Sequence, residues 1–85
     1  MYKVIILRSA EKDLEKLPVS VVRRIFPALE KLAANPRPAN SKKLNGQDEN
    51  LWRIRIGDYR AVYLIADTIR IVEVRKVGHR KDIYD

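Results

Sequence analysis

The chain has 85 residues, which is enough for one folded domain over residues 1–85 and too few for two separate cores. Its 18 Lys and Arg outnumber 11 Asp and Glu, giving a net charge of +7, while 46% of the residues are hydrophobic. This composition predicts a folded basic protein and excludes a disordered basic tail. Cysteine is absent and histidine occurs once, which excludes disulfides and argues against a structural zinc site.

The apolar segments of the chain are short. The longest uninterrupted one spans the six residues 61–66, far from the roughly 20 that a membrane-spanning helix requires. Near the N-terminus, Arg8 closes the apolar run 4–7 before it reaches the length of a signal-peptide core. We therefore expect a cytoplasmic protein with no membrane partner.

A first strand and two helices are predicted for the N-terminal half. Residues 2–8 are few and rich in β-branched and aromatic side chains, as is typical of a strand. Ser9 is a predicted helix N-cap, and the helix that it opens ends before Pro18. A second helix is predicted from residue 19 to about residue 34 because its apolar residues follow one helical stripe, with a kink or a frayed turn at Pro27.

Three strands follow a polar loop. We expect the loop over residues 40–50 to be mobile. From Leu51 the hydrophobic period changes to two, which predicts strands over 51–56, 59–65 and 69–77 joined by short turns. The order β-α-α-β-β-β predicts an α+β fold in which two N-terminal helices pack on one face of a mainly antiparallel four-stranded sheet.

The net charge is concentrated in two short segments, residues 51–60 and 75–81. Together they hold seven bases and one acid, so they carry nearly the whole excess. The basic residues are Arg53, Arg55, Arg60, Arg75, Lys76, Arg80 and Lys81. An excess that served solubility alone would be spread more evenly, although a basic edge strand protected against aggregation would also concentrate part of it.

Three arginines are the main candidates for an anion-binding site. Alternation along the strand directs Arg53 and Arg55 to the sheet surface that faces solvent, away from the helices. Arg60 begins the next strand across a tight turn, so the three guanidiniums can converge on one phosphate. An antiparallel return of residues 69–77 brings Arg80 and Lys81 to the same rim. The alternative is that these residues are ordinary solvated side chains of an exposed face, the commoner role of charged residues.

His79 and Tyr84 are candidates for proton transfer. An unperturbed imidazole titrates near neutral pH, so His79 is the first candidate for an acid–base role. The alternative is a surface residue with no catalytic role, which is more common for a single histidine. Tyr84 is either a packing anchor or a functional group. The sequence contains no glycine-rich nucleotide-binding loop and no ligands at metal-site spacing, so we predict neither a cofactor nor a metal.

Three motifs follow the predicted strand and helices. They are Asn45-Gly46, the segment LWRIRIGDYRAVY at 51–63 and the segment VRKVGHRKDIY at 74–84. This arrangement resembles the RelE/ParE superfamily of bacterial and archaeal toxins from toxin–antitoxin modules. The resemblance covers almost the whole chain, and the two longer segments are specific in combination. It implies a ribosome-dependent mRNA interferase that cleaves mRNA in the ribosomal A site without a metal. It also implies an acidic antitoxin that covers the basic face in a hetero-oligomeric complex.

The resemblance can be carried to individual residues. RelE-type toxins have basic residues at the positions of Arg53, Arg55, Arg60 and Arg80, and a tyrosine matched by Tyr84. ParE-type relatives share the fold, inhibit DNA gyrase without enzymatic activity and generally lack this set. Retention of all five positions favours the RelE interpretation. A third interpretation is a basic RNA-binding module in which the same arginines bind phosphate without cleavage.

One departure from the family pattern affects the mechanism. The best-known RelE members have lysines where this chain has Arg53 and Arg55, and arginine cannot accept a proton at neutral pH. We therefore expect Arg53 and Arg55 only to position and neutralise phosphate, while Arg60 and Arg80 stabilise the charge that develops when the RNA 2′-hydroxyl attacks. Further phosphate contacts are expected from Lys42, Lys43 and Lys81.

Proton transfer then falls to the remaining two candidates. A phenol keeps its proton at neutral pH, so Tyr84 suits donation to the leaving 5′-oxygen. His79 is left as the hypothesised general base.

Overall fold

A mixed five-stranded sheet, with two helices packed on one face, forms the protein in a computed structural model that describes residues 1–46 and 49–83. In chain order the elements are β1 (Lys3–Ile6), α1 (Arg8–Glu15), α2 (Val19–Glu30), a 3₁₀ turn (Lys31–Ala33), β2 (Ser41–Lys43), β3 (Leu51–Ile56), β4 (Tyr59–Ala66) and β5 (Ile71–His79). The predicted α+β class with two helices on one face is confirmed. The sheet has one strand more than predicted.

The strands lie in the order β1-β5-β4-β3-β2. β1 pairs with β5 in parallel, and the remaining neighbours are antiparallel, so the chain crosses from one edge of the sheet through both helices before it forms the other edge. The additional strand is β2, which falls within the segment predicted to be a mobile loop. Its backbone pairs with residues 52–54 of β3, and its exposed lysines are suited to a sheet edge.

The core lies between the helices and the inner face of the sheet, as we call the face toward the helices. Its fully buried members from the helical layer are Ala10, Ile25, Leu29 and Leu32, and those from the sheet are Ala61, Tyr63, Val72 and Val74. The sheet residues belong to one face by their register, as in the pair of Tyr63 with Val74. The residues between them along each strand belong to the opposite face, which we call the outer face. The period of two in the sequence therefore identifies the inner face correctly.

α1 completes the edge of β5 beyond the end of β1. The Ser9 hydroxyl donates a hydrogen bond to the carbonyl of Arg75 at 2.7 Å, and the Val77 amide donates to Oδ2 of Asp13 at 3.0 Å. The helix begins at Arg8, with Leu7 at the N-cap position, so the prediction of Ser9 as the N-cap is wrong. The reason is a tertiary one, since β5 carries backbone groups here that require side-chain partners.

α2 is helical on both sides of Pro27. The helix assignment continues through it to Glu30, so the predicted frayed turn is absent, and the last predicted turn is a 3₁₀ turn over Lys31–Ala33. Both Pro27 and Arg23, whose carbonyl loses its amide partner, are exposed residues. Water can therefore replace the missing hydrogen bond, which lowers the cost of proline inside the helix.

The segment after the helices is tied to the sheet by side chains. The hydroxyl of the fully buried Tyr63 donates to the carbonyl of Pro36 at 2.7 Å. Arg37 makes two hydrogen bonds to the carboxylate of Asp67, at 2.7 and 3.2 Å, and the Tyr2 hydroxyl donates to the same carboxylate at 2.6 Å. These contacts hold the start of the β2–β3 region against the rest of the sheet.

Among the described residues, no helix is long and apolar enough to cross a membrane.

Candidate phosphate-binding site

The sheet register brings predicted site residues together on the outer face. Arg55 of β3 lies directly opposite Arg60 of β4, and Arg53 lies two residues earlier on the same face. Arg53 is in turn opposite Lys42 of β2. Strand alternation thus assembles a basic surface from three neighbouring strands, of which the sequence pattern predicts the two that carry the arginines.

Arg60 is fixed by the turn that precedes it. Its Nη1 donates hydrogen bonds to the carbonyls of Gly57 and Tyr59, at 3.0 and 2.9 Å, and only 7% of the residue is exposed. Within the described chain, these bonds use Nη1 alone and leave Nε and Nη2 available to an anion. Arg60 therefore presents a positive charge that is held in place before any ligand arrives.

Arg53 and Arg55 occupy different environments, although the alternation along the strand predicts that both face solvent. Arg55 is exposed, whereas Arg53 is only 7% exposed. β2 pairs with residues 52–54 and ends before Arg55, so Arg53 has a neighbouring strand on that side and Arg55 has none. Of the two, Arg55 is the one that presents its guanidinium openly to a ligand.

The segment after β5 lies beside the same turn. The Arg80 amide donates to the carbonyl of Asp58 at 2.8 Å, which places Arg80 at the end of the sheet that carries Arg55 and Arg60. Arg80 and Lys81 are both exposed. The prediction that this segment returns to the rim near Arg60 is therefore confirmed in its geometry.

The chain turns after His79, where the Asp82 amide donates to the His79 carbonyl at 2.8 Å, and this turn brings Ile83 against Gly78. Ile83 is 95% buried, and its Cδ1 lies 3.3 Å from the point that a Cβ on Gly78 would occupy. Gly78 is the register partner of Arg60, so Ile83 covers the position next to that arginine. A Cβ at position 78 would require Ile83 to move by a few tenths of an ångström. Tyr84, the next residue and a predicted proton donor, lies outside the described residues.

His79 is separated from the arginines by the sheet. Its register partner is Tyr59, a residue packed against the inner core, and the two rings meet edge to face with centroids 5.4 Å apart. The His79 Nδ1 accepts a hydrogen bond from the Lys81 amide at 3.2 Å. The imidazole therefore lies on the helix side, and the structure does not bring it together with the guanidiniums of the outer face.

The two lysines of β2 point to opposite faces. Lys42 pairs with Arg53 and shares the outer face, whereas Lys43 pairs with Trp52, whose side chain belongs to the inner face. Both lysines are exposed. Only Lys42 of this pair is thus placed to contact the same ligand as the arginines.

The other end of the outer face is neutralised by acids. Arg75 makes two hydrogen bonds to the carboxylate of Glu49, at 2.7 and 3.0 Å, and one to Glu73 at 3.1 Å. These bonds raise the pKa of Arg75, and the hydrogen bond from Arg75 lowers the pKa of Glu49. The open positive charge therefore lies at the Arg55 and Arg60 end, not along the whole basic segment.

Arg24 of α2 reaches the same turn and was not identified from the sequence. The guanidinium of Arg24 lies over Gly57, with its Cζ 3.7 Å from the position that a Cβ would occupy, so a larger residue there would push the flexible end of Arg24 aside. Gly57 also has a positive φ of 61°, which favours glycine independently. One charged residue among several on an amphipathic helix gives no signal of this contact.

Among the described residues, no group of three His, Asp or Glu side chains is arranged to hold a metal ion.

Comparison with known proteins agrees with this architecture. A family model described as the ParE toxin of a type II toxin-antitoxin system, parDE, matches residues 4–84. The chain therefore belongs to this family within the RelE/ParE superfamily, and it is a RelE-like toxin of a type II toxin–antitoxin system.

Several individual relatives are RelE toxins or complexes of RelE with RelB. It is 35% identical over 86 residues to a protein of Methanocaldococcus jannaschii named "Putative toxin RelE1", covering 98% of this chain and 94% of the relative. The RelE–RelB complex of Pyrococcus horikoshii matches with a TM-score of 0.82 at 29% identity, covering 96% of this chain and 98% of that one. The Escherichia coli RelBE complex matches with a TM-score of 0.78, also at 29% identity, covering 93% and 96%.

Proposed function

We propose that this toxin is an endoribonuclease that cleaves mRNA in the ribosomal A site and so inhibits translation. The observation that carries the proposal is the direct pairing of Arg55 with Arg60, beside the Arg80 segment. Like charges placed directly opposite each other on a sheet destabilise it. A bound phosphate removes that cost, because bidentate contacts between guanidinium and phosphate are among the strongest hydrogen bonds in proteins.

In the proposed reaction, the RNA 2′-hydroxyl oxygen forms a bond to the adjacent phosphorus and the bond from phosphorus to the 5′-oxygen breaks. Arg55, with Arg53 and Lys42 behind it, positions the phosphate. Arg60 and Arg80 stabilise the negative charge on the non-bridging oxygens in the transition state. Because Arg60 is held by the turn, its charge requires little reorganisation during the reaction.

Two protons must move during this step. The 2′-hydroxyl loses one, and the leaving 5′-oxygen takes one, for which Tyr84 remains the proposed donor. The inner-face position of His79 supports a packing role with Tyr59 instead of the hypothesised role as base. We assign the 2′-hydroxyl proton to solvent water at the open end of the outer face. Among the described residues of that face, arginine and lysine are unsuited to accept it.

The same face is the proposed binding site for an antitoxin. The relatives from P. horikoshii and E. coli were solved as complexes of RelE with RelB. An acidic segment is complementary to a chain of net charge +7 whose open charge lies at one end of the sheet. Binding there would block access of RNA to Arg55 and Arg60 and would stabilise the small domain by mass action.

A second candidate function is inhibition of DNA gyrase without enzymatic activity. It is favoured by one observation, the match to a family model described as the ParE toxin. Expression of the toxin in cells separates the two functions. Fragmented mRNA with arrested translation supports the endoribonuclease, whereas DNA damage with intact mRNA supports the gyrase inhibitor. A basic module that only binds RNA would cause neither.

Purified protein and ribosomes programmed with a defined mRNA give the direct test. We expect cleavage by the unaltered toxin and a loss of about 100-fold or more for Arg55→Ala and Arg80→Ala. Arg23→Ala is a matched control because Arg23 is an exposed arginine of α2 that the site does not use. Full activity in Arg80→Ala would contradict the site assignment.

A further inference from the structure

A cleft of about 430 Å³ opens between α2 and the edge of the sheet formed by β2 and β3. Its rim carries Arg24 and Lys31 from the helical layer and Asn35 and Asn40 from the segment that follows. Ile54 lies at its base. The proposed reaction and the comparisons assign no role to this cleft.

The residues of α2 that line the cleft form one stripe. Arg24, Pro27 and Ala28 of α2 are spaced by three and four residues, and Lys31 in the 3₁₀ turn that continues the helix extends the same face. None of the described residues that line the cleft is acidic. The two cations are therefore not neutralised within the cleft, and its charge suits an anionic ligand.

The remaining lining suits a ligand that is also partly apolar. Proline, leucine and isoleucine side chains line the interior, and the two asparagines add hydrogen-bonding groups. Asn35 uses its Oδ1 to accept from the Arg37 amide, and Asn40 uses its Nδ2 to donate to the Arg55 carbonyl. Within the described chain, this leaves the Nδ2 group of Asn35 as a donor and the Oδ1 of Asn40 as an acceptor for a ligand. A concave, mostly apolar surface with a few polar groups is typical of sites for small organic ligands, and this volume lies in their usual range.

Two contacts connect the cleft with the arginines of the outer face. The Arg24 guanidinium lies against Gly57, and the carbonyl of Gly57 accepts a hydrogen bond from Arg60. Asn40 and Arg55 exchange two hydrogen bonds, because the Arg55 amide also donates to the Asn40 carbonyl at 3.1 Å. The cleft and the phosphate site thus adjoin at one end of the sheet, across the turn and across the edge of β3.

We propose that this cleft binds a nucleotide of the same RNA strand, one that flanks the phosphate held by Arg55 and Arg60. Arg24 and Lys31 contact its phosphate, the asparagine amides contact the edge of its base, and the apolar interior packs against the base. The proposal rests on the proposed function, because it requires RNA on the outer face. RNA is favoured over an acidic peptide by the continuity of the two sites, since a single strand can pass from one to the other.

The test is binding of a short single-stranded RNA that carries 2′-O-methyl groups and therefore cannot be cleaved. Its affinity is measured by fluorescence anisotropy over a range of salt concentrations for the unaltered protein and for Arg24→Ala and Lys31→Ala. Each lost phosphate contact should lower the slope of log affinity against log salt by about 0.7. We expect this loss for both variants, with an affinity reduced about fivefold to tenfold at low salt.

Arg23→Ala is the matched control. It removes the same charge from the neighbouring position of α2 but lies off the stripe that lines the cleft, so its salt slope should stay unchanged. Arg24→Ala could weaken RNA binding by disturbing the turn at Gly57. Lys31→Ala avoids this effect, because Lys31 is exposed and does not contact that turn. Thermal unfolding of each variant verifies that it is folded.

Arg55→Ala separates failure of this inference from failure of the proposed function. If Arg55→Ala weakens RNA binding while Arg24→Ala and Lys31→Ala behave like Arg23→Ala, the cleft inference is overturned and the proposed function stands. If the unaltered protein does not bind this RNA, the cleft inference is overturned, whereas the proposed function is decided separately by cleavage on programmed ribosomes. If the two cleft variants keep RNA binding but lose binding of a hexaglutamate peptide, the cleft is a protein-binding site and the inference is overturned.

Discussion

Arg55 and Arg60 are direct cross-strand partners on the outer face, with Arg60 anchored to the turn between their strands and Arg55 exposed. Adjacent like charges usually cost stability in a sheet. The pair is therefore more readily explained by an anion that binds between the strands than by the needs of the fold.

Replacement of Arg55 should separate stability from activity. Arg55→Ala removes one of two like charges, so we expect the free energy of unfolding to rise by about 0.2–1 kcal/mol. Cleavage of mRNA on programmed ribosomes should nevertheless fall about 100-fold. Urea unfolding and a cleavage assay on the same preparation measure both. A variant that is less stable and fully active would show that Arg55 is a structural residue.

Replacement of Arg60 should reduce stability and activity together. Arg60→Ala leaves the carbonyls of Gly57 and Tyr59 without their donor, which we expect to cost about 1–3 kcal/mol of unfolding free energy. Arg60→Lys keeps the charge but loses the planar fork, so it should recover only part of the activity. Equal stability of the Ala variant and the unaltered protein would contradict the anchoring role of this side chain.

His79→Phe tests whether the imidazole takes part in proton transfer. Phenylalanine can keep an edge-to-face contact with Tyr59, so the variant should remain folded. Because the ring lies on the inner face, we expect the dependence of the cleavage rate on pH to keep its shape. A variant that loses activity together with the neutral-pH limb of this profile would restore His79 as the general base.

Release of Arg75 should strengthen RNA binding. Glu49→Gln removes the carboxylate that makes two hydrogen bonds to Arg75, which leaves a freer cation on the outer face. We expect affinity for single-stranded RNA to rise about threefold at low salt and this gain to vanish at high salt. Glu15→Gln on α1 is the control for the change in net charge, since Glu15 is exposed and belongs to the helical layer. An equal gain in the control would assign the effect to net charge alone.

The buried Tyr63 should make the protein sensitive to alkaline pH. Burial raises the pKa of Tyr63 to about 12, above its ordinary value of 10.0. The neutral phenol is thus favoured in the folded state, so its contribution to stability is full below pH 10 and is lost as the pH rises toward 12. The expected loss is about 2–3 kcal/mol across this interval, measured by urea unfolding at several pH values.

Tyr63→Phe is the corresponding variant. It should cost about 1 kcal/mol at neutral pH because the Pro36 carbonyl loses its donor. It should also remove most of the alkaline loss. An unchanged pH dependence in this variant would assign the alkaline sensitivity to other groups.

The sequence predicts the fold well where periodicity is strong. Helical spacing predicts the two helices, and alternation predicts the strands 51–56 and 59–65. Alternation also predicts the shared face of Arg53, Arg55 and Arg60. β2 is missed because three polar residues carry no hydrophobic pattern, and they become a strand only by pairing with β3. The role of Ser9 is misjudged for a similar reason, since its hydroxyl bonds to a carbonyl on β5, far along the chain.

By itself the sequence determined the charge, its concentration in two segments and the alternation that places arginines on one face, because these depend only on residue types and their neighbours along the chain. Only the tertiary structure decided that Arg53 is buried while Arg55 is exposed, that Arg75 is neutralised and that Arg24 reaches the turn at Gly57. It also placed His79 on the inner face. These properties depend on which strand ends first and on which distant side chain packs against each position, and neither can be read from local periodicity.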